Sequence, residues 1–205
     1  MADVTSETTL LATILPTYEF RGAVSVRIHA TPRDIFRAVD EVSLADMPLA
    51  RALGALRYLP YRLSGREPDR TDDTRSFIHE VLPASGNMIL AREPDRELVI
   101  GAIGKFHQLA DQQPVHLTDA TAFTAFDDPA YQKLVMAIRI DDGDETDGYT
   151  LTLEHRTHAL GPAAQRGFRR YWIAIKPGGN FVSWLLLRAI KRRAEQRYGT
   201  GNCAT

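Results

Sequence analysis

Sulfur ligands and membrane-spanning segments are the features this chain of 205 residues most clearly lacks. Its single cysteine, Cys203, excludes an intramolecular disulfide and a cysteine-rich metal site. Near the start, the apolar stretch "LLATIL" ends at a proline and is too short for a signal-peptide core or a bilayer span. We therefore expect a cytoplasmic protein.

The chain also lacks a large excess of positive or negative charge. The formal net charge is −1, so no overall field attracts the chain to nucleic acid. The segment from Gln165 onward differs, because it has nine Lys or Arg against the single acid Glu195. Basic helix faces of this kind are usually solvated, and this one lacks the interleaved exposed aromatics typical of nucleic-acid-binding surfaces. We predict no nucleic-acid partner.

Motifs for metals and phosphates are missing as well. The six histidines are scattered without metal-ligand spacing. "DDGDETDG" (residues 141–148) lacks the glutamate and the ligand spacing of a calcium loop, so turn chemistry predicts a hairpin tip. Gly101 and Gly104 lie within a strand pattern with no following helix, which indicates a bulge, a bend or the close approach of a ligand. We predict no metal and no cofactor.

The patterns that are present predict mostly extended structure. Residues 18–28 alternate as a half-buried strand, and "ATPRDIFRAV" begins a helix, with Thr31 as cap and Pro32 in the first turn. A second helix is predicted over residues 45–56. Six further strands are predicted, at residues 76–82, 87–92, 97–107, 121–126, 132–140 and 149–158.

A long helix closes the chain. It is predicted to begin at Pro162, to break at Pro177-Gly178-Gly179 and to end before Gly199. One apolar face is spaced for packing on a sheet, and it comprises Ala164, Phe168, Tyr171, Trp172, Ile175, Leu186, Leu187, Ile190 and Ala194. With no linker or repeat, we predict one domain over residues 10–198, a disordered start at 1–9 and a disordered tail at 199–205.

This order of elements, with "ATPRDIFRAV" after the first strand and "FRRYW…KPG" in the last helix, resembles the START-like (SRPBCC) superfamily of polyketide cyclases and lipid-binding proteins. Within it, the chain is similar to a bacterial subgroup of mostly uncharacterised members. The resemblance implies an α+β helix-grip fold. That is a curved antiparallel sheet of about seven strands wrapped around a long C-terminal helix, with two short helices after the first strand. It also implies an apolar cavity between sheet and helix.

The segment "YTLTLEHRTHAL" (residues 149–160) contains the polar residues that are candidates for lining such a cavity. Alternation places Leu153 and His155 on one face and Glu154, Arg156 and His158 on the other. Glu154 and Arg156 then form an exposed cross-strand charge ladder near Lys133. In the alternative, they turn into the cavity as a buried pair, and the subgroup tends to have an acid and an arginine at these positions.

His155 continues the leucine face and is the better cavity candidate, although a histidine in such a place is often only a core residue. We predict a binding or carrier protein for a hydrophobic small molecule, a lipid, polyketide or similar. Its cavity is expected to be lined by Phe106, Phe123, Met136, Ile138, Leu153, His155, Tyr171 and Trp172. Tyr171 and Trp172 could equally be core residues.

The alternative is an aromatase/cyclase-type enzyme that folds a poly-β-carbonyl chain in the same cavity. The superfamily has no single catalytic motif, so the candidates are only His155, Tyr171, Glu154 and Arg156. A protein–protein adaptor with a filled core is a third possibility. The sequence leaves both a monomer and a homodimer open.

A second apolar stripe on the last helix is not shared by Leu186, Leu187 and Ile190. It comprises Phe181, Trp184 and Leu185 and continues at helical spacing into Arg188 and Arg192. This stripe can pack on the short helices, form a subunit interface or touch a membrane. Aromatic residues beside arginines favour transient contact with anionic lipid through Trp184, Arg188 and Arg192.

Overall fold

The computed structural model describes residues 9–57, 73–108 and 113–202. Five strands are formed: β1 (Phe20–Ile28), β2 (Met88–Glu93), β3 (Glu97–Gly104), β4 (Gln132–Asp144) and β5 (Gly148–Ala159). The α-helices are α1 (Leu10–Ile14), α2 (Pro32–Glu41), α3 (Pro48–Arg57), α4 (Leu82–Ala84), α5 (Ala120–Ala125) and α6 (Pro162–Asn202). A 3₁₀ turn covers Leu44–Asp46 and a π-helix covers Phe77–Val81.

The strands form one antiparallel sheet in the order β1-β5-β4-β3-β2. β3 pairs with β4 without interruption, with Ile100 opposite Met136, whereas β2 has a register shift between Ile89 and Ala91. The predicted α+β class is confirmed, with two short helices after the first strand and a long C-terminal helix. The described residues form five strands, where about seven were predicted.

The two missing strands are helical. Residues 77–84 form the π-helix and α4, because the Ser76 hydroxyl accepts the His79 N–H and starts a turn. Residues 120–125 form α5, which begins where the Asp119 carboxylate accepts the Ala122 N–H at 2.8 Å. In both places a side-chain cap decides the conformation, which alternation of apolar residues had suggested to be extended.

The predicted break in the last helix is also wrong, since α6 continues through Pro177 to Asn202. Proline in a helix costs about 3 kcal/mol. Both flanking halves are anchored by burial, Phe168 before the proline and Leu187 and Ile190 after it. The helix also passes the predicted end at Gly199. The disordered ends are predicted over residues 1–9 and 199–205; of these, residues 1–8 and 203–205 lie outside the described residues.

Contacts divide the chain into two compact units. The first unit is Met1–Ala23, Gly86–Arg139 and Leu153–Lys176, and the second is Val24–Ser85, Ile140–Thr152 and Pro177–Thr205. Strands β1, β4 and β5 and helix α6 each contribute to both. A single START-like domain over residues 10–198 stays a prediction.

In the first unit, one sheet face is covered by α1 and α5. The buried cluster comprises Leu11, Leu15, Leu90, Val99, Ile103, Phe123, Val135 and Ala137. α1 is only five residues long, and it is held at its start by Glu97, whose carboxylate accepts the N–H groups of Leu10 and Leu11 at 2.8 and 3.1 Å. Such a short helix needs this capping, because it could not persist alone.

The second unit contains α2, α3, the β4–β5 hairpin and the second half of α6. As predicted, α2 begins at Thr31, whose hydroxyl oxygen accepts the Asp34 N–H at 3.2 Å. Ion pairs tie α6 to the α2 region, with Arg193 Nη1 2.7 Å from an Asp46 carboxylate oxygen and Arg197 bonded to Glu41.

Candidate ligand-binding site

The polar face of β5 is buried around Glu154, whose side chain is 1% exposed. Its carboxylate accepts hydrogen bonds from Arg21 Nε and Arg156 Nε, both at 2.8 Å, and from Arg139 Nη1 at 3.2 Å. The prediction of an exposed charge ladder is therefore wrong. The alternative, that Glu154 and Arg156 are a buried pair, agrees with this burial. Glu154 shares a face with Arg139, and alternation puts Leu153 on the other face of the strand.

The segment at and after α1 explains this burial. Arg156 Nη1 donates to the Leu15 carbonyl at 3.3 Å, and its guanidinium carbon lies 4.5 Å from the centre of the Tyr18 ring. Leu11 and Leu15 are buried in the cluster on the same face. This face of the sheet is therefore covered by protein, and Glu154 has its partners there.

Electrostatics in this cluster favour the ionised carboxylate. Burial opposes the charge of Glu154, but the hydrogen bonds and charges of Arg21 and Arg156 outweigh it and lower the pKa from 4.5 to about 2. The hydrogen bond to Glu154 in turn raises the pKa of Arg21. A carboxylate so firmly ionised is a poor general acid or base near neutral pH, and the arrangement suits a structural clamp.

The leucine face of β5 carries a group of rings in the first unit. His155 meets Trp172 edge-on at a centroid distance of 5.4 Å, and Phe20 meets Phe168 at 4.8 Å. Phe168 also lies 5.9 Å from Trp172 and 5.6 Å from Tyr171. We call these five residues the aromatic cluster. It joins β1 and β5 to the first half of α6, and it brings three of the predicted lining residues together.

Polar atoms in the aromatic cluster have no hydrogen-bond partner in the described part of the chain. Among the described residues, no hydrogen bond is made by the imidazole of His155, the hydroxyl of Tyr171 or the indole N–H of Trp172. The Thr157 hydroxyl, on the same strand face as His155, is fully buried and also unpartnered. Burial lowers the pKa of His155, as does Lys176, while Glu154 opposes the shift. The imidazole is therefore neutral near pH 7.

Three further predicted residues lie on this face. Val135 and Ala137 belong to the cluster under α1, so alternation places Met136 and Ile138 on the other side, with His155. Ile138 and Leu153 are fully buried, whereas Met136 is half-buried. The face therefore combines a closed apolar floor with partly open side chains beside it.

Phe123 is a wrong prediction. It lies on the short helix α5 and is buried in the cluster under α1, on the sheet face opposite to His155. Gly101 belongs there too, since a Cβ at this position would come within 2.3 Å of Leu90 Cδ1 and 3.0 Å of Phe123 Cε2. The close approach that this glycine permits is thus to protein side chains. Phe106 follows β3 and is half-buried, and its N–H donates to Gln132 Oε1 at 2.9 Å.

A cleft of about 350 Å³ that the sequence did not indicate opens beside the aromatic cluster. It is lined by Glu19 and Phe20 from the start of β1 and by Gln165, Arg166 and Arg169 from α6. Phe20 belongs both to this cleft and to the aromatic cluster. Their spacing of three residues on a helix could have predicted that the two arginines are neighbours. It could not have predicted that Phe20, which is distant in the sequence, lies beside them.

In the second unit, the predicted lipid-contact residues are partly exposed. Phe181, 41% exposed, stacks on Trp184 at 5.9 Å. The guanidinium of Arg188 lies over the Trp184 ring at 4.8 Å, and Arg192 Nη2 donates to the Asp46 carbonyl at 2.7 Å. Neither arginine forms an ion pair with an acid among the described residues.

The described part of the chain has neither a metal-ligand cluster nor a membrane-crossing helix. No group of three or more His, Cys, Asp or Glu side chains there could hold a metal ion. None of the helices there has the length and apolar character needed to cross a bilayer.

Comparison with known proteins gives structural neighbours only. No family model and no curated protein matches the chain. The di-domain ARO/CYC protein StfQ from the steffimycin biosynthetic pathway is 14% identical, with a TM-score of 0.40, over 87% of this chain and 52% of that one. MLL2253 from Mesorhizobium loti is 13% identical, with a TM-score of 0.37, over 84% and 98%. CalU16 from Micromonospora echinospora is 13% identical, with a TM-score of 0.33, over 88% and 86%.

The likeness concerns the fold. At these identities and TM-scores, it is not informative about a ligand or a reaction of this chain.

Proposed function

We propose that the chain binds a hydrophobic small molecule in its first unit, on the leucine face of the sheet and against the aromatic cluster. The observation that carries this proposal is the combination of open apolar surface with unpartnered polar atoms. Met136, Tyr171 and Trp172 are half-buried, although Ile138 and Leu153 on the same face are fully buried. Binding sites for small apolar molecules have this composition, mostly apolar with a few polar groups that fix orientation.

Four polar atoms could orient the ligand: the His155 imidazole, the Tyr171 hydroxyl, the Trp172 N–H and the Thr157 hydroxyl. A buried hydroxyl without a partner costs about 1–3 kcal/mol, and Thr157 has none among the described residues. A ligand carbonyl or hydroxyl would recover this cost. The neutral imidazole can donate through one nitrogen and accept through the other.

The test uses a neutral apolar fluorophore, N-phenyl-1-naphthylamine. We expect saturable binding at one site with micromolar affinity, weakened by Met136→Trp because the larger side chain fills the open surface. Leu49→Trp is the matched control, since Leu49 is exposed and lies on α3 in the second unit. Failure of the fluorophore to saturate, or equal binding by the Met136 variant and wild type, would contradict the proposal.

An aromatase/cyclase role at the same site is the second candidate, favoured by one observation. His155 is neutral because burial lowers its pKa, so it could take a proton from a poly-β-carbonyl chain bound on the leucine face. If so, His155→Gln would abolish turnover of such a chain and leave fluorophore binding within about twofold. If wild type binds the poly-β-carbonyl chain but does not convert it, only the carrier role is supported.

We also propose transient contact between the second unit and anionic lipid. Phe181 and Val182 are exposed, and the stacked Trp184 carries Arg188 over its ring. Arg188 and Arg192 lack acidic partners among the described residues, so their charges complement an anionic headgroup. For the oligomeric state, the prediction of a monomer or a homodimer stands as it was made from the sequence.

A further inference from the structure

We infer that the ligand is an amphipathic anion, an apolar body with a carboxylate or phosphate at one end, and that Arg166 and Arg169 in the cleft bind this anionic end. The inference rests on the proposed function and deepens it by assigning the ligand's chemical class. The juxtaposition that carries it is a cationic cleft whose apolar wall, Phe20, is also a member of the aromatic cluster.

The two arginines are available to a ligand. Neither makes a hydrogen bond or ion pair with another described residue, and both line the cleft. They lie three residues apart on α6, so their side chains are neighbours on one helix face and can reach a single anion. The planar guanidinium suits carboxylate and phosphate oxygens, because it offers paired N–H donors.

The acid in the cleft does not neutralise them. The Glu19 carboxylate lies 3.0 Å from His158 Nδ1 through one oxygen, and the other oxygen accepts the Ala159 N–H at 2.9 Å. Its oxygens are thus used at the end of β5, and it holds no hydrogen bond or ion pair with either arginine. Counting this acid, the cleft retains an excess of one positive charge beside an apolar wall.

Continuity with the aromatic cluster gives the ligand its second part. Phe20 contacts Phe168 at 4.8 Å and Trp172 at 6.0 Å, and Trp172 contacts His155 at 5.4 Å. A molecule with its anionic end at Arg166 could therefore lay an apolar chain along these rings. The cleft alone, about 350 Å³, is at the small end of ligand pockets, which suits a headgroup with its body outside the cleft.

The experiment measures displacement of N-phenyl-1-naphthylamine by dodecanoate and by methyl dodecanoate, which share the apolar chain and differ in charge. Dodecyl phosphate tests the other anionic end, and acetate tests an anion without a body. We expect wild type to bind dodecanoate about tenfold or more tightly than its ester, as a charge-assisted hydrogen bond predicts. Arg166→Gln/Arg169→Gln should lose this preference and leave ester binding unchanged.

Arg170→Gln is the matched control. Arg170 is exposed on the same helix and has no partner among the described residues, but it does not line the cleft. It should retain the full preference, and salt should reduce that preference in wild type. Three results would overturn the inference: equal affinity for acid and ester, an equal loss in the Arg170 variant, or acetate competing as well as dodecanoate. In each of these the fluorophore still binds and the proposed function survives. If the fluorophore does not bind wild type at all, both fall.

Discussion

Replacing Glu154 with glutamine tests whether the three arginines hold a buried charge. The pKa of Glu154 is lowered from 4.5 to about 2 in the folded chain. At about 1.4 kcal/mol per pKa unit, this difference corresponds to roughly 3 kcal/mol of stability at pH 7. Removing one member of a buried ion pair commonly costs about 3–5 kcal/mol, so both routes predict a large loss. Arg139 and Arg156 would be left close together without their anion.

The dependence on pH has a defined sign. Because the folded pKa lies below the unfolded one, the contribution of Glu154 is complete above about pH 5 and is lost as pH falls toward 2. The difference between wild type and Glu154→Gln should therefore be largest at pH 7 and shrink to roughly half near pH 3. Urea unfolding at several pH values measures it.

Glu93→Gln is the control for an exposed pair, since Glu93 and Arg96 are each 45% exposed and lie 3.4 Å apart. It should change stability by less than about 1 kcal/mol. A loss of that small size for Glu154→Gln at pH 7, or a difference that does not vary between pH 7 and 3, would refute the reasoning. The carboxylate would then behave as an ordinary surface acid.

Three other predictions concern α6 and the aromatic cluster. Burial lowers the folded pKa of His155 below 6.5, so protonation favours the unfolded state and stability falls as pH drops below about 6.5. In urea melts, His155→Leu should reduce this loss of stability between pH 7.5 and 5.5. An unchanged dependence of stability on pH would contradict the prediction. A Cβ at Gly178 or Gly179 meets nothing within 4 Å, so alanine at either should stabilise the helix by about 0.5–1 kcal/mol, and a lower melting temperature would show the idea wrong. Anionic vesicles should pellet the protein at low but not high salt, less so after Trp184→Ala or Arg188→Gln; absence of wild type from the low-salt pellet rules out lipid contact.

Local patterns were sufficient for much of the fold. The start of α2 depends on Thr31, Pro32 and Asp34, which are neighbours in sequence. The β4–β5 hairpin likewise depends on "DDGDETDG", where Gly143 and Gly148 take positive φ angles that other residues rarely adopt. Such features need no knowledge of distant residues.

Two of the errors, those at Glu154 and Pro177, arise from contacts between segments that are distant in the sequence. Alternation correctly separated Glu154 from His155, but it could not reveal that α1 covers the polar face. α1 depends on Glu97, 86 and 87 residues away from the N–H groups it caps. Phe123 was assigned to the wrong face because the cap at Asp119 was not recognised. Pro177, Gly178 and Gly179 predict a break in the last helix, but burial on both sides of Pro177 keeps α6 continuous.

The capping of α1 by Glu97 has a consequence for the order of events during synthesis. A single turn of helix cannot persist without its partners, so residues 10–15 must wait for β3 to leave the ribosome. At about 5–20 residues per second, the apolar segment "LLATIL" stays uncovered for several seconds or longer. Throughout that interval Leu11 and Leu15 are exposed on the nascent chain, and a chaperone could bind them there before they are buried against the sheet.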